Sequence, residues 1–273
     1  MSFHFPDGWV TIPAEPRVYD YLLGGTDNLR ADRALGDALV SAANWLPRAA
    51  QINRMYGVLT VAHLARRGIR QFVDLGCGYP TPAFLEMPNP HEAAARIRPD
   101  ARFLHVDQDP VVASHAAAFL SGPRGEHRVL CADIRKVGDL LATPEARQLD
   151  HNQPMGFLLH DVLAWIPDDS EAHQLLADIR TLAPAGSAIS ITHATTDMRR
   201  EEGQAVVALY AAHGLALRPR SYAEIRALLD PWPLEEPGLL PTGRWHADPL
   251  HAELPDAQSG AYAAVSMHPG AHR

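Results

Sequence analysis

The stretch that decides the fold reads Gln71-Phe72-Val73-Asp74-Leu75-Gly76-Cys77-Gly78. A short apolar run ending at a glycine turn is the pattern of a parallel strand buried on both faces. Glycine at 76 and 78 lets the chain turn sharply and lie close to a ligand that any Cβ would hold off. Working outward, apolar runs return at 102–106, 127–131, 155–159 and 187–192. They lead into Asp107, Asp133, His160-Asp161 and His193. Helical stretches separate them. Asn89, Pro90 and Glu92 make a helix start, with a cap, a proline at the first position and an acid that reaches back. Further helices are predicted at 111–120, 168–182 and 201–213. Strands alternating with helices predict parallel βαβ units with right-handed crossovers. Two later runs, 239–246 and 261–267, leave no room for a helix between them. They predict an antiparallel hairpin that completes a seven-stranded, mostly parallel sheet with helices on both faces. Upstream, Val18, Leu22, Leu35, Leu39, Ile52 and Tyr56 follow helical spacing across 15–68, with breaks at Gly24-Gly25 and Trp45-Leu46-Pro47. The expected organisation is a helical extension over 1–68, packed as a lid on an α/β unit over 69–273.

Composition narrows the function classes. The chain has 273 residues, 47% hydrophobic and 21% charged, which suits a globular protein with a full core. Its 24 Lys plus Arg against 32 Asp plus Glu give a net charge of −8, which repels a phosphate backbone, so no nucleic-acid partner is expected. The apolar run over 156–166 is broken by His160 and Asp161 and is too short to span a bilayer. The start, Met1-Ser2-Phe3-His4-Phe5-Pro6, lacks the basic-then-apolar pattern of a secretory signal. Cys77 and Cys131 make no disulfide framework and fit a reducing compartment, so a cytoplasmic location is expected. The 15 histidines form no metal-ligand spacing, so no metal is expected. The oligomeric state, monomer or homodimer, is left open.

Three acids follow one another at strand ends. Asp74 precedes the glycine turn. Asp107 is placed to accept from both hydroxyls of a ribose. Asp133 is placed to accept from an adenine amino group. In an open α/β sheet these ends lie side by side along the ligand crevice. Each acid alone also reads as a helix N-cap. Nicotinamide dinucleotide binding, and with it an oxidoreductase, is the rival reading. It needs Gly-x-Gly-x-x-Gly opening straight into a helix, so that amides meet a pyrophosphate. Here Gly78 is followed by Tyr79-Pro80-Thr81-Pro82, and the third glycine is missing. S-adenosylmethionine (SAM) has no pyrophosphate and requires no such helix start.

These motifs carry a resemblance. The chain resembles the S-adenosyl methyltransferase family first catalogued as a domain of unknown function. The matching stretches are Arg17-Val18-Tyr19-Asp20-Tyr21-Leu22-Leu23-Gly24-Gly25-Thr26-Asp27-Asn28, Asn53-Arg54, Asp74 to Thr81, His91-Glu92, Val106 to Val112 and Ala132-Asp133-Ile134-Arg135. The resemblance implies a Rossmann-like class I methyltransferase fold, with SAM at the strand ends and S-adenosylhomocysteine as product. It implies that Cys77, Gln108, Ile134 and His160 lie along the cofactor beside the acids. The chain departs from the family pattern after Leu159-His160, where Asp161-Val162-Leu163-Ala164-Trp165 precedes Ile166-Pro167-Asp168.

The N-terminal stretch reads two ways. Its Asp- and Asn-rich residues can simply end a helix after a glycine break. They can also form a lid over the methionine end of SAM, with Gly24-Gly25 as hinge and the Tyr19 ring beside the sulfonium. Asn53 and Arg54 would then hold the SAM carboxylate, or Arg54 makes a surface ion pair. For catalysis the candidates are His160, Asp161 and His193, which equally suit ordinary strand-end polar roles. The expected activity is methyl transfer to a small-molecule acceptor, with SAM binding without transfer as the alternative.

Overall fold

The computed structural model describes residues 8–81, 85–120, 126–245 and 256–270. Met1–Pro6, Pro82 and His246, used in the reading above, lie outside them. Seven strands form one sheet: β1 (Gln71–Leu75), β2 (Arg102–Asp107), β3 (His127–Cys131), β4 (Met155–His160), β5 (Ala188–Ala194), β6 (Leu240–Pro241) and β7 (Ala261–Met267). Their order is β3-β2-β1-β4-β5-β7-β6. The first five are parallel, β7 runs antiparallel to β5, and β6 antiparallel to β7. This is the expected class I methyltransferase-like sheet.

The hairpin differs in extent. An eight-residue strand was expected at 239–246, and β6 holds two residues. Pro241 has no N–H to donate to a ladder, and Thr242–Arg244 turn into a 3₁₀ helix. The Thr242 hydroxyl bonds Ala261 O at 2.9 Å, so the side chain takes over a link the backbone drops.

Helices cover both faces, as side-chain alternation along each strand requires. Val73, Leu75, Leu104, Phe157, Leu159 and Ile189 pack against α6 (Val137–Leu141), α7 (Asp169–Leu182) and α9 (Tyr222–Leu229). Phe72, Phe103, Leu158 and Val265 pack against α3 (Leu46–Arg66) and α4 (Pro90–Ala95). On this second face the residues two positions further along are polar: Asp74, His105, His160. The sheet therefore changes from dry to polar toward its carboxyl edge, and the polar end lies under α3 and α4. The α4 start has the expected box, with Asn89 N donating to Glu92 Oε2 at 2.7 Å.

The N-terminal region forms α1 (Glu15–Leu22), α2 (Arg30–Ala42) and α3. The Gly24-Gly25 break separates the first two, and Pro47 sits in the first turn of the third. An ion pair with almost no solvent contact, Arg17 Nε to Asp32 Oδ2 at 2.8 Å, ties α1 to α2. Breaking one partner of such a pair costs about 3–5 kcal/mol. Val18, Leu35, Leu39 and Trp45 complete this layer against Val206 and Tyr210 of α8 (Arg200–Ala212). Among the described residues no helix is long and apolar enough to cross a membrane.

Candidate active site

A cavity of about 480 Å³ opens at the carboxyl edge of the sheet. Asp74, Asp107 and Asp133 all line it, as do Gly76, Cys77 and Gly78. Gly76 and Gly78 have φ of 78° and 61°, the left-handed region that glycine adopts without cost. A Cβ on Gly76 would meet Val162 Cγ2 at 2.5 Å. One on Gly78 would meet only Arg54 Nη2, at 3.4 Å, so its open side faces the cavity.

Asp107 is buried. Its Oδ2 accepts from Gly78 N and its Oδ1 from Asp109 N, both at 3.0 Å. Each carboxylate oxygen keeps a further lone pair, so the group can still take two hydroxyls. Burial raises its pKa to about 6, against the lowering effect of the two amides. Asp74 Oδ2 lies 3.1 Å from His105 Nδ1. Burial pushes this carboxyl up, but the histidine's hydrogen bond and charge outweigh it and hold the pKa below the usual range. Asp133 is differently engaged. It caps the 3₁₀ helix Ile134–Lys136 and is gripped by Arg135, Nη2 to Oδ2 at 2.8 Å and Nε to Oδ1 at 3.0 Å. The N-cap reading therefore holds at this position, and most of its acceptor capacity is spent inside the chain. Gln108 and buried Ile134 also border the cavity.

Tyr19 of α1 and Asn53 and Arg54 of α3 form the opposite wall. Thr192 Oγ1 donates to Asn53 Oδ1 at 2.6 Å, Asn53 Nδ2 donates to Tyr19 Oη at 2.8 Å, and Tyr19 Oη donates to Ala50 O at 3.1 Å. This chain of bonds fixes α1 to α3 and β5. The Arg54 guanidinium stacks over the Tyr19 ring at 5.2 Å and donates Nη2 to Tyr79 O at 2.9 Å. Its Nε is buried without a partner. An uncommitted guanidinium N–H beside a cavity suits a carboxylate ligand.

At the β4 edge, His160 Nε2 lies 2.9 Å from Ser190 Oγ. Burial lowers its pKa to about 4 although Asp74 favours the charged form, so the imidazole is neutral at physiological pH. Asp161 follows with φ of 59°, a left-handed conformation held by Asp161 N to Thr192 O at 3.1 Å. Its carboxyl faces the cavity without a hydrogen-bond partner among the described residues. Burial raises its pKa to about 7, with Arg54 opposing.

Three of the residues singled out above are not in the cavity wall. His193 is fully buried; its Nε2 accepts from Arg220 Nη1 at 3.0 Å, and its Nδ1 donates to Ala194 O at 2.9 Å. Both nitrogens are used in packing the Arg220 guanidinium, which also donates to Leu163 O and Ile166 O. Gly24 and Gly25 belong to a loop closed around Asp20. Gly25 N donates to Asp20 O, and Asp27 N and Asn28 Nδ2 donate to Asp20 Oδ2 at 2.9 and 2.8 Å. A Cβ on Gly25 would fall 2.0 Å from Asp20 Oδ1. The glycine serves the chain's own carboxylate rather than a ligand.

Other wall residues were not anticipated: Glu15, His91, His105, Trp165 and Leu215. His105 carried a readable signal, a polar residue inside an apolar strand. The others reach the cavity through tertiary packing. Among the described residues no group of three or more His, Cys, Asp or Glu is placed to hold a metal ion.

The comparisons agree with this architecture. The family model described as S-adenosyl methyltransferase matches residues 10–269. A DUF574 family protein from Streptomyces avermitilis superposes with a TM-score of 0.89 at 31% identity, covering 95% of this chain and 99% of its own. A candidate methyltransferase from Thermobifida fusca superposes with a TM-score of 0.87 at 30% identity, covering 96% and 97%. No curated protein matches the chain. With a family model that spans the sheet, the helical extension and every wall of the cavity, the chain belongs to the S-adenosyl methyltransferase family.

Proposed function

We propose that this methyltransferase takes its methyl group from SAM bound in the 480 Å³ cavity and delivers it to a small-molecule acceptor in the same cavity. The observation that carries the reading is the convergence of the Gly76–Gly78 turn, buried Asp107 and half-free Arg54 on one space. Asp107 would take the ribose hydroxyls and Arg54 the methionine carboxylate. Ile134 would lie against the adenine, and Asp133 would take its amino group with what capacity Arg135 leaves. SAM supplies an electrophilic methyl on a positively charged sulfur. The protein's task is then to hold an acceptor atom in line with the sulfur–methyl bond and to keep water out, and positioning of this kind supplies many orders of magnitude in rate. The cavity is lined on most sides by side chains of the sheet edge and α1, which supports a small acceptor over a protein or nucleic-acid surface. Calorimetric titration of the full chain with S-adenosylhomocysteine tests the cofactor half, with saturable one-site binding expected. No saturable binding would end the reading. Methyl-labelled SAM with a metabolite extract tests the other half: label moving to a compound of low mass is expected. Binding without any label transfer would leave a SAM-binding protein in its place.

A further inference from the structure

Between α1 and the segment after β4, the cavity holds oxygen groups that the cofactor reading does not use. Glu15 of α1 and Asp161 both line it, and neither carboxyl has a hydrogen-bond partner among the described residues. Tyr210 of α8, 6% exposed, does not line the cavity and stands behind Trp165. Burial, and after it the charges of Glu15 and Asp161, push the Tyr210 phenol up. Burial and the Asp161 charge push Glu15 up in the same way. The walls around them are apolar and aromatic. Trp165 packs edge-on to Tyr210 with ring centroids 5.0 Å apart, and Tyr19, Pro16 and Leu215 complete the enclosure. Two carboxyls without hydrogen-bond partners among the described residues in such a place, opposed only by the Arg54 charge, are poorly satisfied, since burial penalises their charge and their unused lone pairs.

We infer that the acceptor is an organic amine with an apolar body, whose ammonium is received by Glu15 and Asp161 and whose body lies against Trp165 and Leu215. An alkylammonium carries three N–H donors, and the Glu15 and Asp161 carboxyls in the cavity wall offer acceptors for them. Its charge neutralises the acids, and the Trp165 and Tyr19 rings add cation–π attraction. A protonated amine has no lone pair to give, so a base must first take one proton. Asp161, which follows the end of β4 at the sheet edge where the cofactor is proposed to lie, takes it. The freed nitrogen pair then forms the bond to the methyl carbon of SAM. The sulfur–methyl bond breaks with its electron pair left on sulfur, giving a methylammonium and S-adenosylhomocysteine. Asp161 retains the first proton until it passes to solvent.

This inference rests on the methyltransferase reading, and the test separates the two. The full chain is first saturated with S-adenosylhomocysteine, then titrated by calorimetry with 2-phenylethylamine and with its isosteres 2-phenylethanol and phenylacetate. The amine is expected to bind at least tenfold more tightly than either isostere. Glu15→Gln is expected to weaken the amine at least tenfold while leaving S-adenosylhomocysteine affinity and melting temperature within error. Equal binding of amine and alcohol, or tighter binding of the acid, would overturn the amine assignment and leave the methyltransferase reading standing. Failure of S-adenosylhomocysteine to bind wild-type protein would remove the reading beneath it. Should Glu15→Gln fail to fold, the wild-type comparison of the three isosteres decides alone.

Discussion

Two glycine motifs in this chain look alike on paper and do opposite things in space. Gly24-Gly25 and Gly76-Cys77-Gly78 each lie within a few residues of an aspartate and end an element of secondary structure. The first wraps its own Asp20, which is 2% exposed and takes backbone and side-chain donors from Asp27 and Asn28. The second leaves space beside Gly78 that nothing but the tip of Arg54 approaches. A glycine can be required because the chain must close on itself, or because it must leave room for something else. The difference is visible only when the nearest atom to the missing Cβ is known.

Substitutions separate the two motifs. The largest effect is expected for Asp20→Ala. It strips the Asn28 amide and the Asp27 N–H of their buried acceptor, and the unfolding free energy should fall by about 3 kcal/mol. Denaturant titration measures this, and S-adenosylhomocysteine affinity measured below the melting transition should stay within about threefold of wild type. A selective loss of affinity with unchanged stability would make the first motif a ligand contact after all. Asp107→Ala should do the reverse, weakening S-adenosylhomocysteine by about 1–3 kcal/mol, the value of charge-assisted hydrogen bonds, with little change in fold by circular dichroism. Gly78→Ala comes next. A left-handed alanine costs about 1–2 kcal/mol of stability, and its methyl group projects into the cavity, so affinity should fall about tenfold, or about 1.4 kcal/mol.

The smallest effect is on pH dependence. Burial holds the Asp107 pKa at about 6, above its unfolded value. The carboxylate is the form that accepts from ribose hydroxyls, so affinity for S-adenosylhomocysteine should fall as pH drops from 7 to 5. The loss should approach about tenfold one unit below the pKa, where one carboxyl in eleven is still ionised, and Asp107→Asn should flatten it. Stability runs the other way. The folded state binds this proton more tightly than the unfolded chain does, so ionising Asp107 costs stability as pH rises from about 4 through 6. Asp107→Asn should accordingly melt higher than wild type at pH 7, whatever it does to binding.

What could be read from the residues divides along the same line. The five parallel strands fell within two residues of their expected bounds. A strand buried on both faces must be an apolar run, and one that meets a ligand crevice must stop at glycine or acid. The convergence of Asp74, Asp107 and Asp133 on one cavity followed from strand order. β6 was over-extended because Leu239 to Trp245 looks apolar enough for a strand, while Pro241 and the Thr242–Arg244 turn forbid a longer ladder. The helix α9 went unread although Ser221 and Glu224 form a capping box at its start, with Ser221 N donating to Glu224 Oε2 at 2.7 Å. His193 and His160 have the same local signature, a histidine at the end of an apolar run. Only packing separates them, because His193 meets Arg220 from a segment 27 residues away. Glu15 had no local sign at all, since its place in the wall depends on how α1 is held by Arg17, Asp32 and Asn53.

The two walls of the cavity come from parts of the chain under unequal constraint. The turn and strand ends on the proposed cofactor side are locked into the hydrogen-bond ladder of the sheet, where a one-residue change propagates to neighbouring strands. Beside the Asn53 and Arg54 wall, the rest of the cavity is made from α1, the 165–167 segment and the 214–216 loop, none of which contributes to that ladder. On the proposed amine site, retargeting the acceptor becomes a problem of three short segments, and a library confined to Glu15, Trp165 and Leu215 explores it while leaving Asp107 and the glycine turn untouched.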